Sequence, residues 1–212
     1  MKKLVLFIFL SLMWCNVGFA DEVEDLEIEG ISIGDSLLLH IEKAEIKKEI
    51  EINKSSYSYL GNNMFGEVYV YSDKFKIYDH LSFFVKPSDD TYFIYSIYGT
   101  ISYDKNIDEC IKKQKEITKE FSLSFSDAIK SEGEVIHRVD PTGRSKIYYN
   151  YFELKNGDFI KTECTEFEKG IKEKNNWING LNVALSKKIV HDWMSSTNSF
   201  NLKLKGGVLY LA

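Results

Sequence analysis

Hydrophobic positions along this chain recur with two periods, and the changes of period divide it into elements. Leu37, Leu38, Ile41 and Ala44 fall at helical spacing, and Ile46 and Ile50 continue the stripe, so a helix or two short ones is predicted over 36–50. The Gly34-Asp35-Ser36 turn starts it, with Asp35 or Ser36 capping the exposed amides. Residues 53–63, NKSSYSYLGNN, read as a loop, and the acidic stretch 21–29 reads as a frayed entry segment. Three runs rich in Val, Ile, Tyr and Phe then predict strands near 64–72, 80–87 and 92–103. Asn106 opens a second helix, where Asn106 and Glu109 make a capping box. Ile107, Cys110, Ile111, Gln114, Ile117 and Phe121 form its inner face.

Strands return near 133–139, 145–154 and 158–168, the last two joined through Asn156-Gly157, a strong hairpin signal. Residues 169–176 read as a charged loop, 181–186 as a strand and 188–194 as a short helix. Strands grouped rather than alternating with helices predict an α+β fold: antiparallel sheet with helices packed on one face. Each half reads as a helix followed by three strands, which raises the expectation of two similar halves. Strand alternation puts Tyr69 and Tyr71 on one face and Val68 and Val70 on the other. Together with Tyr92, Tyr95 and Tyr98 they are the candidate binding surface, since tyrosines on a half-covered sheet offer both apolar area and hydroxyls.

The first twenty residues change the picture by giving an address. Lys2 and Lys3 precede an apolar run from Leu4 to Met13, and Gly18-Phe19-Ala20 closes it with small residues. That layout is a cleavable secretory signal and is short for a membrane span. The expected organisation is therefore a signal at 1–20, a globular domain over 21–194, and a tail at 195–212 that is an edge strand or loose. No transmembrane segment is expected after the signal. The formal charge of −5 becomes two units more negative once Lys2 and Lys3 are removed. An acidic chain lacks the basic field that nucleic-acid binding requires. Arg138 and Arg144 are its only arginines, so bidentate anion clamps are scarce.

Export also changes the cysteine arithmetic. Cys15 leaves with the signal, and Trp14 before it is too bulky for a lipoprotein processing site. Cys110 and Cys164 remain, an even number in an oxidising compartment, and are expected to form a disulfide.

Candidate chemistry adds little. Gly34-Asp35-Ser36-Leu37 spells the motif of the GDSL esterases, in which the serine is the nucleophile. The Gly-x-Asn-Asp block and the C-terminal Asp-x-x-His of that family have no counterpart: Gly61-Asn62-Asn63-Met64 does not match, and His191-Asp192 is reversed. A serine without a positioned base is a poor nucleophile, so Ser36 reads as a helix cap, with the esterase kept as an alternative. His40, His80, His137 and His191 are scattered, and no His/Cys pair has metal-ligand spacing. Asp104 to Asp108 begins like a calcium loop, but Glu109 stands where its glycine belongs. No cofactor, metal or catalytic residue is expected.

The segment 28–38, IEGISIGDSLL, with Asn106-Ile107-Asp108-Glu109-Cys110 and Thr162-Glu163-Cys164, resembles an uncharacterised family of small exported bacterial proteins. The helix followed by three strands is similar, at the level of fold, to small periplasmic modules that bind proteins through their sheets. The uncharacterised family has no assigned activity, so the resemblance carries over no catalytic residue. The absence of a catalytic set together with the aromatic strands leads to the expectation of an exported, periplasmic or extracellular, non-enzymatic domain that engages a protein or envelope component. A structural secreted protein without a fixed ligand is the remaining alternative.

Overall fold

The computed structural model describes residues 22–138 and 140–196, together with the backbone of 202–205 and 208–211; the expected signal at 1–20 lies outside the described residues. The fold is α+β. Seven antiparallel strands form one sheet in the order β3-β4-β5-β9-β8-β7-β6. They are β3 (Gly66–Val70), β4 (His80–Val85), β5 (Ile94–Ser102), β6 (Ile129–Ile136), β7 (Lys146–Glu153), β8 (Phe159–Glu166) and β9 (Gly180–Ser186). Two meanders, β3-β4-β5 and β6-β7-β8-β9, meet at the β5–β9 pair. Each meander follows a long helix, α1 (Lys43–Ser56) or α2 (Ile107–Ser124); the first half is a helix and three strands as expected, and the second carries a fourth strand, β9.

Both long helices cover the same face. Ile46 and Ile50 of α1 and Cys110, Ile117 and Phe121 of α2 share one core with Val68, Phe83, Ile97, Leu185, Ile160 and Phe152 from the strands. Those strand residues are direct neighbours in register, forming an apolar row that crosses from β3 to β7. Gln114, buried in the same face of α2, donates from Nε2 to the carbonyls of Tyr148 and Thr162 at 2.7 and 2.8 Å, pinning the helix to β7 and β8. The Cys110–Cys164 disulfide adds a covalent tie between α2 and β8, with Cα atoms 6.0 Å apart. Asn106 caps α2 as its sequence predicts: its side chain accepts from the amides of Asp108 and Glu109 and donates to the Glu109 carboxylate. The short helix α4 (Lys188–Ser196) lies on the other face. Phe84, between Phe83 and Val85 of the main core, packs there with Val190, Trp193 and Met194.

The entry segment is not frayed. It forms a turn at Val23–Asp25 and a hairpin of β1 (Glu27–Ile28) and β2 (Ile31–Ser32). Its acidic residues conceal a second apolar pattern, for Val23, Leu26, Ile28, Ile31 and Ile33 are all buried in the main core. Glu29 and Gly30 make its turn with φ of 55° and 78°, the left-handed pair that matches strand twist. The Glu29 carboxylate then accepts the amides of Lys76, Ile77 and Tyr78, fastening the hairpin to the β3–β4 loop.

The first helix also departs from its expected range. Ser36 caps a short 3-10 turn, Leu37–Leu39, and α1 starts only at Lys43. Gly34 and Leu37 donate their amides to the carbonyls of Ile94 and Tyr92, so this stretch follows the start of β5 instead of coiling. α1 then runs through part of the expected loop, to Ser56. The expected charged loop contains α3 (Lys169–Asn175), capped by Glu168 and closed by Asn176 with φ 54°. β6 begins at Ile129, because pairing with β7 recruits the polar run 130–134, whose intrinsic strand preference is weak. Ser195 and Ser196 belong to α4; β10 (Leu202–Lys205) and β11 (Val208–Leu211) pair with each other and not with an edge of the main sheet in the strand order.

Candidate binding face

The face opposite α1 and α2 is built from the alternate residues of the same strands. One row reads Tyr69, Ser82, Tyr98, Ala184, Lys161, Tyr151, Ser131 from β3 to β6. The next reads His80, Thr100, Asn182, Glu163, Tyr149, Gly133. α4 lies across one end of the strands on this face, alongside these rows, where His191 packs on Phe159 with ring centroids 4.9 Å apart. Phe167, Trp177 and His137 cluster at the other end, with centroids 4.9 to 5.8 Å apart.

A charged pair lies in the middle of this floor. Lys161 is buried and its ammonium sits 3.0 Å from Glu163 Oε2 and 5.5 Å from the centre of the Tyr98 ring. Burial disfavours the ammonium, but the Glu163 carboxylate and Tyr98 outweigh it and hold the Lys161 pKa above its ordinary value. Lys161 is therefore held in its charged form. Burial lowers the pKa of His80, His137 and His191, so the imidazoles around the floor favour their neutral forms. Thr100 donates to Asn182 Oδ1 at 2.7 Å.

Toward the β3 edge the floor becomes a tyrosine cluster around a buried acid. Tyr59 donates to Glu67 Oε2 at 2.5 Å, and the hydroxyls of Ser82 and Tyr69 also bond this carboxyl. Burial raises the Glu67 pKa above the usual carboxylate range, and these three hydrogen bonds offset only part of that. Tyr57 stacks near Tyr59 with centroids 5.5 Å apart and hydrogen-bonds Tyr69. Tyr69 and Tyr71 lie 5.9 and 5.0 Å from His80. Tyr71 is 73% exposed and stands at the open end of the cluster.

The five candidate tyrosines separate into three groups. Tyr69 and Tyr71 share a face, as predicted, and join Tyr57, Tyr59 and His80, which sequence alone did not connect to them. Tyr95 and Tyr98 are partly buried beside the aromatic core under α4: Tyr95 packs on Phe65 at 5.4 Å and beneath the Lys86 ammonium at 4.7 Å, and Tyr98 packs on Phe84 at 5.8 Å. Tyr92 is not a surface residue. It is 2% exposed in the core on the helix side, because the turn before β5 gives it a left-handed φ of 46° and directs its ring inward.

Ser36 is a cap. Its hydroxyl donates to the Thr91 carbonyl at 2.5 Å and accepts from the Leu38 amide at 3.3 Å, both backbone groups. Among the described residues no group of three His, Cys, Asp or Glu side chains is placed to hold a metal ion, and no helix is long and apolar enough to cross a membrane. Compared with protein families, characterised proteins and solved structures, the chain finds no match.

Proposed function

We propose that this chain is an exported, non-enzymatic binding domain that holds a protein or envelope component on the tyrosine-rich part of the sheet face opposite its two long helices. One observation carries the reading: Tyr57, Tyr59, Tyr69, Tyr71 and His80 form a continuous cluster that rises from a buried base at Glu67 to an exposed tip at Tyr71. Tyrosine supplies large, rigid contact area at low conformational cost and carries a hydroxyl for hydrogen bonds, which suits it to recognition. The buried hydroxyl–carboxyl network fixes the inner rings, so a partner would meet a pre-organised surface. The Cys110–Cys164 bridge supports an oxidising destination, since such bonds persist outside the cytosol. A photo-reactive residue replacing Tyr71 tests the reading, with the same residue at Leu123 on α2, also exposed, as control. The expected result is one discrete adduct with an envelope component from position 71 and none from position 123. Equal labelling from both positions, or none from either, would overturn it.

A further inference from the structure

The two edges of the sheet are finished differently. At the β3 edge, Asn53 of α1 reaches across and donates from Nδ2 to the Glu67 carbonyl at 2.9 Å, so the helix occupies part of that edge. β6, at the other edge, has only β7 beside it in the strand order. In an antiparallel pair alternate residues turn both backbone groups away from the neighbour, so about four of its residues offer an amide and a carbonyl outward. Six of the eight residues of β6 are exposed, including Ile129 at 63% and Ile136 at 56%. A long edge with exposed isoleucines is a template for another strand. Its charges, Lys130, Glu132 and Glu134, occupy alternate positions and so share one face, leaving Ile129, Ser131, Gly133 and Val135 uncharged on the other.

The chain carries a segment that fits this edge. β10 and β11 pair antiparallel with each other, and β11 lies beside β6, with Cα atoms of the two strands within 8 Å. Residues 202–211 contain no acidic residue, and their two lysines, Lys203 and Lys205, lie on β10, whereas β6 carries Glu132 and Glu134, the latter already paired with Lys146 at 2.7 Å. The sequence Val208-Leu209-Tyr210-Leu211 is rich in residues that favour strands. We infer that the outer edge of β6 is a strand-docking surface whose occupant is the chain's own C-terminal hairpin, with β11 adding to the sheet as an eighth strand. The arrangement satisfies the outward backbone groups of β6 and blocks the edge against association with other chains. It is independent of the tyrosine cluster, which lies at the opposite edge.

Hydrogen exchange of the full chain tests it against two variants, one ending at Ser196 and one carrying Leu209→Pro, which removes an amide and breaks strand geometry inside β11. Alternate amides across 129–136 are expected to exchange about tenfold faster or more in both variants, while the central strands β5 and β9 keep their protection. If truncation loosens the whole sheet, Leu209→Pro decides, because it leaves the chain length unchanged. Unchanged protection of 129–136 in the Leu209→Pro chain would overturn the proposal. So would a full-length chain that is dimeric by native mass spectrometry and becomes monomeric on truncation, since the edge would then be held by the tail of a second copy.

Discussion

The two faces of the sheet are made by the same strands, one residue out of step, and they have opposite characters. The row Val68, Phe83, Ile97, Leu185, Ile160, Phe152 is apolar from strand to strand and lies under two helices. The adjacent row Tyr69, Ser82, Tyr98, Ala184, Lys161, Tyr151 mixes rings with hydroxyls and a buried ammonium, and is covered only toward one end by α4. Burying Lys161 and Glu67 costs free energy that apolar residues in their places would not, so this face is not optimised for stability. The contrast teaches that the face under α1 and α2 holds the fold, and the proposed binding function rests on the opposite face.

The contrast breaks first if the helix face proves dispensable. Phe83 is fully buried in the middle of the apolar row. Phe83→Ala removes a ring that closely packed neighbours cannot replace, and about 3–5 kcal/mol of stability is expected to be lost in denaturant unfolding. Reduction of the Cys110–Cys164 bond comes next. It closes a loop with a sequence separation of 54, for which the chain-entropy model gives roughly 4 kcal/mol, acting through the unfolded state. A Cys110→Ala/Cys164→Ala double variant compared with the oxidised chain should lose about 2–4 kcal/mol while keeping the same far-ultraviolet circular dichroism. A smaller loss from Phe83→Ala than from the double cysteine variant would shift the main support from packing to cross-linking.

Much of the helix face was legible because burial there obeys period. The stripe Cys110, Gln114, Ile117, Phe121 is buried as its spacing implies, and the strands at 80–85, 146–153 and 180–186 follow their apolar runs. The cysteine count pointed to the bridge once the expected signal, with Cys15, was set aside. Legibility failed where tertiary contacts override local preference. Leu37 and Ile41 are buried at helical spacing, yet hydrogen bonds from Gly34 and Leu37 to the start of β5 prevent a helix there. Acidic residues in 22–29 masked Val23, Leu26 and Ile28. The candidate face was legible only in part: alternation related Tyr69 to Tyr71, but Tyr57 and Tyr59 reach them through a turn, and Tyr92 leaves them through a positive φ. The pairing of Lys161 with Glu163 had no sequence signal beyond two charges on alternate positions of a strand.

The buried acid sharpens the comparison through pH. Glu67 has a folded-state pKa above its ordinary value, chiefly from burial. Between the unfolded and folded values the native state binds more protons than the unfolded one, so stability falls as pH rises from the ordinary carboxylate range. Asp140 behaves oppositely. The Thr142 hydroxyl first, and then Ser145, hold its pKa well below the usual range, so its contribution is present above the unfolded value and fades as pH falls. Glu67→Gln keeps the shape and an acceptor for Tyr59 but cannot ionise. Denaturation midpoints should show the variant gaining on the parent as pH increases from 4 toward 8. A gain that shrinks over that range would mean Glu67 is stabilised as its carboxylate, and burying it on the face opposite α1 and α2 would cost little.

The smallest expected stability effect belongs to Tyr71. Its side chain is 73% exposed, its near neighbour is His80, and it lies just beyond the end of β3. Tyr71→Ala should therefore change unfolding free energy by no more than about 0.5 kcal/mol. Under the proposed function the same substitution removes the exposed tip of the recognition cluster and should weaken partner capture about tenfold or more, as losing an aromatic anchor does. The pair of measurements separates the two faces most directly: Phe83→Ala should cost stability, with capture falling only in step with the unfolded fraction, and Tyr71→Ala should do the reverse. If Tyr71→Ala instead destabilised the chain by several kcal/mol, the tyrosines would be a second core, and the division of labour between the faces would fail.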